Sequence, residues 1–423
     1  MPIIHSLDSF VPGDTVLAPM GPEDHVHWLW GDTAFSFVLF RREPGGVRQL
    51  DQAGEGPLFQ RVESVYAMRS GHFMVNLEHE GRKRFAINGE LWPVPDSKVW
   101  LVNRDGKPLW TRGGSAEEYY PSTTWVGMRQ QEHPFYDQPG LGPDRRTFLY
   151  SAASWPDYLD FRFIRDGEVF YDGSLYDLIP SPDWKHLSWI GSPEDAETSF
   201  MYLRGNPSDA GYEYIEPWSF DVCSEHRHFM FAAGSASLDN GVSMMVDGVM
   251  QPERFENIQL WGNWFFDDPA HWFYCGIDSD DRHHVIKDGR TLGVHAQADG
   301  YAELPGNRLA YLAEEGEAGS GWSARVDGGV AAMWPYALPL SLKANARGDL
   351  AYVVDLEKGG AEEGWGRMAL VVNHEPVWTF DRPALHLPKA ESDPAFVAQF
   401  DSDDLVRCLG VKNDSLVMHT HRL

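Results

Sequence analysis

From residue 141 onward, apolar and polar residues alternate in runs of five or six, broken by turns rich in Asp, Gly and Pro. Alternation of this kind puts successive side chains on opposite faces of a half-buried strand. No amphipathic stretch of helical length separates the runs. Residues 166–191, "DGEVFYDGSLYDLIPSPDWKHLSWIG", contain the whole unit: an Asp-Gly turn, a strand, a Tyr-Asp-Gly, a second strand, a Ser-Pro-Asp turn, and a strand carrying an aromatic. Asp-Gly tolerates the positive φ of a two-residue hairpin turn, and the Ser-Pro-Asp turn makes a second reversal.

The unit recurs. Its aromatic strand is found at Tyr150, Trp189, Phe231, Tyr274, Tyr311 and Tyr352, at steps of 37 to 43 residues. A longer step reaches "SDDLVRCLGV", where Arg407 takes the aromatic position. Asp-Gly follows at nearly constant distance in four units, at Asp166, Asp247, Asp288 and Asp327, and has drifted around Gly205 and Asn373. A period near 40 residues holding up to four short antiparallel strands predicts an all-β chain folded as a β-propeller of four-stranded blades.

Seven blades are expected over 121–423, with eight to ten in one ring as the alternative. Residues 1–120 are read as a β-rich N-terminal region, either extra blades or a small packed β-domain. The last blade lacks an outer strand, and an open edge invites unwanted pairing. The segment "TTWVGMRQQEHPFYD", 123–137, is the expected closing strand, pairing with the C-terminal blade.

The cycle of Val-Asp-Gly hairpin and Ser-Pro-Asp turn resembles the TolB-type, WD-like propeller repeat of bacterial proteins. Residues 181–183 carry the full Ser-Pro-Asp, and 142–144 and 94–96 carry "GPD" and "VPD". The resemblance implies fold and not function, because such repeats serve lyases, peptidase accessory domains and binding proteins alike. Some sugar-acid lyases of this repeat type hold a divalent metal with histidines from several blades. The 17 histidines here form no series at one register in successive units.

A formal charge of −28 argues against binding nucleic acid or an anionic membrane, both of which call for basic patches. The start lacks a basic, apolar leader, and three cysteines make no disulfide framework, so a cytoplasmic location is expected. Cys275 and Cys408 hold equivalent strand positions and are read as small buried apolar side chains.

Acidic residues collect in the loops joining second to third strands, which a propeller presents on one axial face. The candidate rim comprises Glu194, Asp195, Asp278, Asp280, Asp281, Glu314, Glu315 and Glu362. It would attract a cation or a basic partner. "DSDDRHH", 278–284, lacks the Gly and distal Glu of a calcium loop, and its adjacent histidines would face opposite ways on a strand. His226 and His228 are the metal candidates, placed on one strand face. No Gly-x-Ser-x-Gly elbow and no phosphate-binding loop is present. The sequence therefore points to a non-enzymatic scaffold without cofactor, binding a protein partner or small ligand at its acidic axial face. The alternative is a propeller lyase or hydrolase with one divalent metal in the central funnel.

Overall fold

The computed structural model describes residues 2–423 except 22–23, 31–33, 51–55, 68–71, 113–122, 132–134, 142–143, 154–160, 181–186, 193–197, 209–210, 217–218, 224, 235–240, 317–320, 339–340, 358–365, 384–397 and 403. Its strands form ten small antiparallel sheets, the blades of a propeller. We number the blades along the chain and letter their strands a to d. The b strands of blades 1 to 5 are Ala34–Glu43, Phe73–His79, Pro108–Arg112, Phe148–Ala153 and Leu187–Ser192. Those of blades 6 to 10 are Phe229–Gly234, Trp272–Ile277, Arg308–Glu314, Leu350–Asp355 and Leu405–Lys412. Among the described residues, no helix is long and apolar enough to cross a membrane.

Side chains from each sheet pack against those of the next all the way round. Val38 and Phe40 of blade 1 meet Val65 and Phe73 of blade 2, and Met74 and Phe85 of blade 2 meet Val99 and Trp110 of blade 3. The series continues to blade 9, whose Leu370 and Trp378 join Leu409 and Val417 of blade 10 and Phe35 and Phe37 of blade 1 in one cluster. That last cluster closes the circle. Residues 1–120 supply strands of blades 1, 2, 3 and 10, and blade 3 continues past them with its c strand, Thr123–Val126. The expectation of seven blades gives way to ten. The three additional sheets are those of blades 1 to 3, built from the first 130 residues.

Where it is kept, the repeated aromatic lies in the layer between its blade and a neighbour. Tyr150, Tyr274, Tyr311 and Tyr352 are all fully buried, each contributing on the order of 2 kcal/mol of apolar transfer free energy. The repeated Asp has a different task. Asp166, Asp247, Asp288 and Asp327 sit at φ values of 47 to 51°, each followed by a glycine also at positive φ. This is the geometry of a primed two-residue turn between strands c and d. Each carboxylate also accepts the backbone N–H of the first or second residue of its own blade's b strand: Phe148, Phe229, Trp272 and Leu309, at 2.9 to 3.0 Å. Asn88 and Asn373 do the same with Phe73 and Leu350. The residue must therefore offer a side-chain acceptor and tolerate a left-handed backbone. Asp and Asn do both.

Closure of the ring corrects a further expectation. The outer strand of blade 10 is Gly13–Pro19, paired with Ser415–Arg422. The proposed closing segment instead supplies strands c and d of blade 3, Thr123–Val126 and Arg129–Gln130, and the start of blade 4. Asp14 binds Lys412 at 2.8 Å and His419 at 2.7 Å across the seam. Arg407, which replaces the repeat aromatic, is 3 % exposed. Its guanidinium donates to the Leu7 carbonyl at 2.9 Å, pairs with Asp401 at 2.7 Å, and lies 5.6 Å from the Phe10 ring centre. The departure from the repeat is thus a fastening between chain ends.

Candidate functional site

Loops between strands b and c, and between one blade's d strand and the next a strand, lie on one face of the ring; we call it the upper face. Glu194, Asp195 and Glu362 lie outside the described residues. The other five rim acids have distinct roles. Asp278 opens the blade 7 loop and accepts backbone N–H groups from Asp280 (2.9 Å) and Arg282 (3.0 Å). Its second oxygen lies 2.6 Å from His284 Nε2. The His284 bond and the Arg282 N–H hold its carboxyl below the usual carboxylate range. Asp278 is spent on shaping the tip. Asp280 and Asp281, by contrast, are exposed, and Asp281 sits at φ 55°.

Glu314 and Glu315 are only partly exposed. Burial alone would raise the Glu315 pKa, but hydrogen bonds from Arg325 and Ser323 outweigh it and hold the carboxyl below its ordinary value. The Arg325 contact is 2.8 Å. Glu315 is therefore neutralised within the fold, leaving Asp280 and Asp281 as the fully exposed acids of the described rim, with Glu314 partly exposed beside them.

The two metal candidates diverge. His226 lies in a turn at φ 52°, not on a strand, and is 1 % exposed. Its Nδ1 is 2.7 Å from the Ser188 hydroxyl of blade 5. His228 Nδ1 is 2.7 Å from Asp247, just as His271 Nδ1 is 2.9 Å from Asp288 one blade on. His228 is a repeat position bracing the Asp-Gly turn. Among the described residues, no three of His, Cys, Asp and Glu are grouped to hold a metal.

A buried cluster of ionisable groups between blades 7 and 8 was not foreseen. His295 is 2 % exposed, with Nδ1 3.7 Å from Glu315 and Nε2 3.4 Å from the Tyr311 hydroxyl. Burial, aided by the Arg325 cation, lowers its pKa to about 4. Burial also pushes Tyr311 and Cys275 up to about 12. The Tyr301 hydroxyl donates to Gln259 at 2.7 Å. A general acid or base works best with a pKa near the working pH, and these shifts all run away from neutrality. The cluster is built to stay in one protonation state. Its sequence signal was faint: two tyrosines, a cysteine and a histidine on strands that read as ordinary repeat.

Asp221 behaves differently. It lies in the innermost strand of blade 6, and burial raises its pKa to about 6, opposed by N–H bonds from Val222 and Phe265. The Phe265 bond is 3.2 Å. A lone acid inside "SFDVC" is the feature that would have marked it.

No family model matches the chain, and no curated protein does. Solved structures with a similar fold include a eukaryotic initiation factor, at 8 % identity and a TM-score of 0.46, covering 81 % of this chain and 94 % of that one. TolB from Acinetobacter baumannii is similar over 63 % of this chain and 76 % of its own, at 12 % identity and a TM-score of 0.28. A putative TolB from Agrobacterium tumefaciens covers 50 % of this chain and 83 % of its own, at 12 % identity and 0.27. TolB proteins are thus among the structures similar to this chain, at an identity that says nothing of what the ring binds.

Proposed function

We propose that the chain is a non-enzymatic binding scaffold that docks a basic protein segment on its upper face. The observation behind this reading is the split among the rim acids. Asp278 and Glu315 are consumed by internal bonds, while Asp280 and Asp281 project outward from a chain of net charge −28. Outward carboxylates on a broad rigid face raise the local concentration of a cationic partner and speed its association. The scaffold requires no cofactor. Its three cysteines are free and buried, which suits a reducing compartment such as the cytoplasm.

The test is titration with a fluorescent, lysine-rich peptide at increasing salt. Affinity should fall steadily between about 20 and 500 mM salt, and Asp280→Asn with Asp281→Asn should weaken it at low salt. Affinity that ignores both salt and these substitutions would refute the reading. Elemental analysis of the purified protein tests the cofactor statement: one equivalent of a divalent metal would contradict it.

A further inference from the structure

The opposite face, formed by the a–b loops and c–d turns, contains a cleft of about 720 Å³ between blades 3 and 4. That volume falls within the range of small-molecule sites. Its walls include Lys107 from the a–b loop of blade 3, Met128 and Arg129 from that blade's c–d turn, and Phe148, Tyr150 and Asp166 of blade 4. The two rings are buried in the layer between blades 3 and 4, at 3 % and 0 % exposure, and give the cleft an apolar floor. Met128, at the mouth, is 66 % exposed, among the most exposed large apolar side chains described.

Charge sets the cleft apart from the rest of the chain. In a protein of net charge −28, the hydrogen bonds described for Lys107 and Arg129 run through their backbone, to Asn103, Gln131 and the hairpin partner Val126, and among the described residues no acid forms an ion pair with either cation. Arg146, on the neighbouring loop, is by contrast paired with Asp105 at 3.2 Å. Asp166 is the one carboxylate of the lining, and one of its oxygens is engaged by the Phe148 N–H at 3.0 Å. Two cations against one carboxylate leave a surplus of one positive charge over an apolar floor. A ligand with one negative charge balances it, whereas a polyanion would be repelled by Asp166.

We infer that this cleft binds a small amphipathic monocarboxylate, its apolar body on Phe148 and Met128 and its carboxylate between Lys107 and Arg129. Arg and Lys donors to a carboxylate make the stronger class of hydrogen bond, and apolar contact supplies the remainder. The site lies on the face opposite the acidic rim, and its occupancy does not depend on that rim's function.

The test is calorimetric titration of the full chain with 4-phenylbutyrate and, separately, its uncharged amide. The acid should bind roughly tenfold more tightly than the amide, the ratio worth one net charge-assisted contact. Lys107→Gln with Arg129→Gln should remove that preference, with an unchanged thermal midpoint as the folding control. Met128→Glu, an exposed substitution that adds a carboxylate at the mouth, should weaken the acid and spare the amide. Asp280→Asn with Asp281→Asn should leave both affinities as they were. Failure of the acid to bind at up to about 10 mM, a free energy weaker than about −3 kcal/mol, would overturn the inference. So would equal affinity for acid and amide, or full binding by the folded double variant.

Discussion

Replacing Asp288 separates the two demands that the fold makes on its repeated turn residue. Asp288 stands at φ 50°, accepts the Trp272 N–H at 2.9 Å, and pairs with His271 at 2.9 Å on the exposed surface. Asp288→Ala loses the acceptor, worth about 1 kcal/mol at a site that water can reach. It also forces a Cβ into the left-handed region without local hydrogen bonding, which costs about 1–2 kcal/mol. The exposed His271 pair adds little. The expected loss is about 2–3 kcal/mol. Asp288→Gly removes only the acceptor and adds some unfolded-chain freedom, for about 1–2 kcal/mol. Asp288→Asn keeps both features, as Asn88 and Asn373 do in their blades at 2.9 Å, and should cost under about 0.5 kcal/mol. Urea midpoints read by tryptophan fluorescence, with circular dichroism confirming one coincident transition, give the three differences. An Asn variant as unstable as the Ala variant would show that charge, not geometry, is what the turn needs. An Ala variant as stable as the parent would refute the clasp altogether.

Three further outcomes follow from the same structure. Arg407→Met leaves Asp401 without its 2.7 Å partner beside the chain seam and should lower the urea-derived stability by about 3 kcal/mol; an unchanged midpoint would show that the seam does not need this fastening. For His295, the folded pKa of about 4 lies below the ordinary 6.5, so its contribution to stability is intact above pH 6.5 and declines as pH falls toward 4, by roughly 3 kcal/mol at most. His295→Gln should flatten the pH dependence of the urea midpoint through that window, and parallel curves for parent and variant would contradict this. Asp221 has the opposite sign: its pKa is raised from 3.8 to about 6, so its stabilising contribution is present below 3.8 and lost as pH rises through 6. Asp221→Asn should therefore be more stable than the parent at pH 8 but not at pH 4, as thermal midpoints would report, and no difference at pH 8 would count against it.

The blades that could be read from sequence are those whose b strand recurs at the 40-residue step, and four of them also keep the Asp-Gly clasp. Tyr150, Tyr274, Tyr311 and Tyr352 mark their b strands because each is a large ring in a layer that must be filled, and Asp166 through Asp327 mark their turns because few residues satisfy both conditions there. Blade 3 keeps the ring, as Trp110, 40 residues before Tyr150. Its c–d turn, however, starts with Gly127 at φ 58°, and glycine needs no companion. Blade 2 keeps the clasp, as Asn88, but fills the aromatic site with Val75. Each has half the signature, so neither stood out. The closing strand was missed for another reason. Gly13–Pro19 meets Ser415–Arg422 only in three dimensions, and no local pattern records which distant edge a strand will complete. Strand order puts the described rim acids in or beside the b–c loops of blades 7 and 8. Which of them remain outward depended on neighbours such as His284 and Arg325, supplied by adjoining strands and not by the loops themselves.

Joining Gly13–Pro19 to blade 10 also dictates when this molecule can become complete. While the ribosome is still making blade 10, Gly13–Pro19 has no Ser415–Arg422 to meet, and Leu7 and Phe10 wait without the apolar surface that finally covers them. A nascent or prematurely terminated chain therefore presents two unmated sheet margins at once. Such chains would depend on prompt completion or on a chaperone to avoid joining one another end to end.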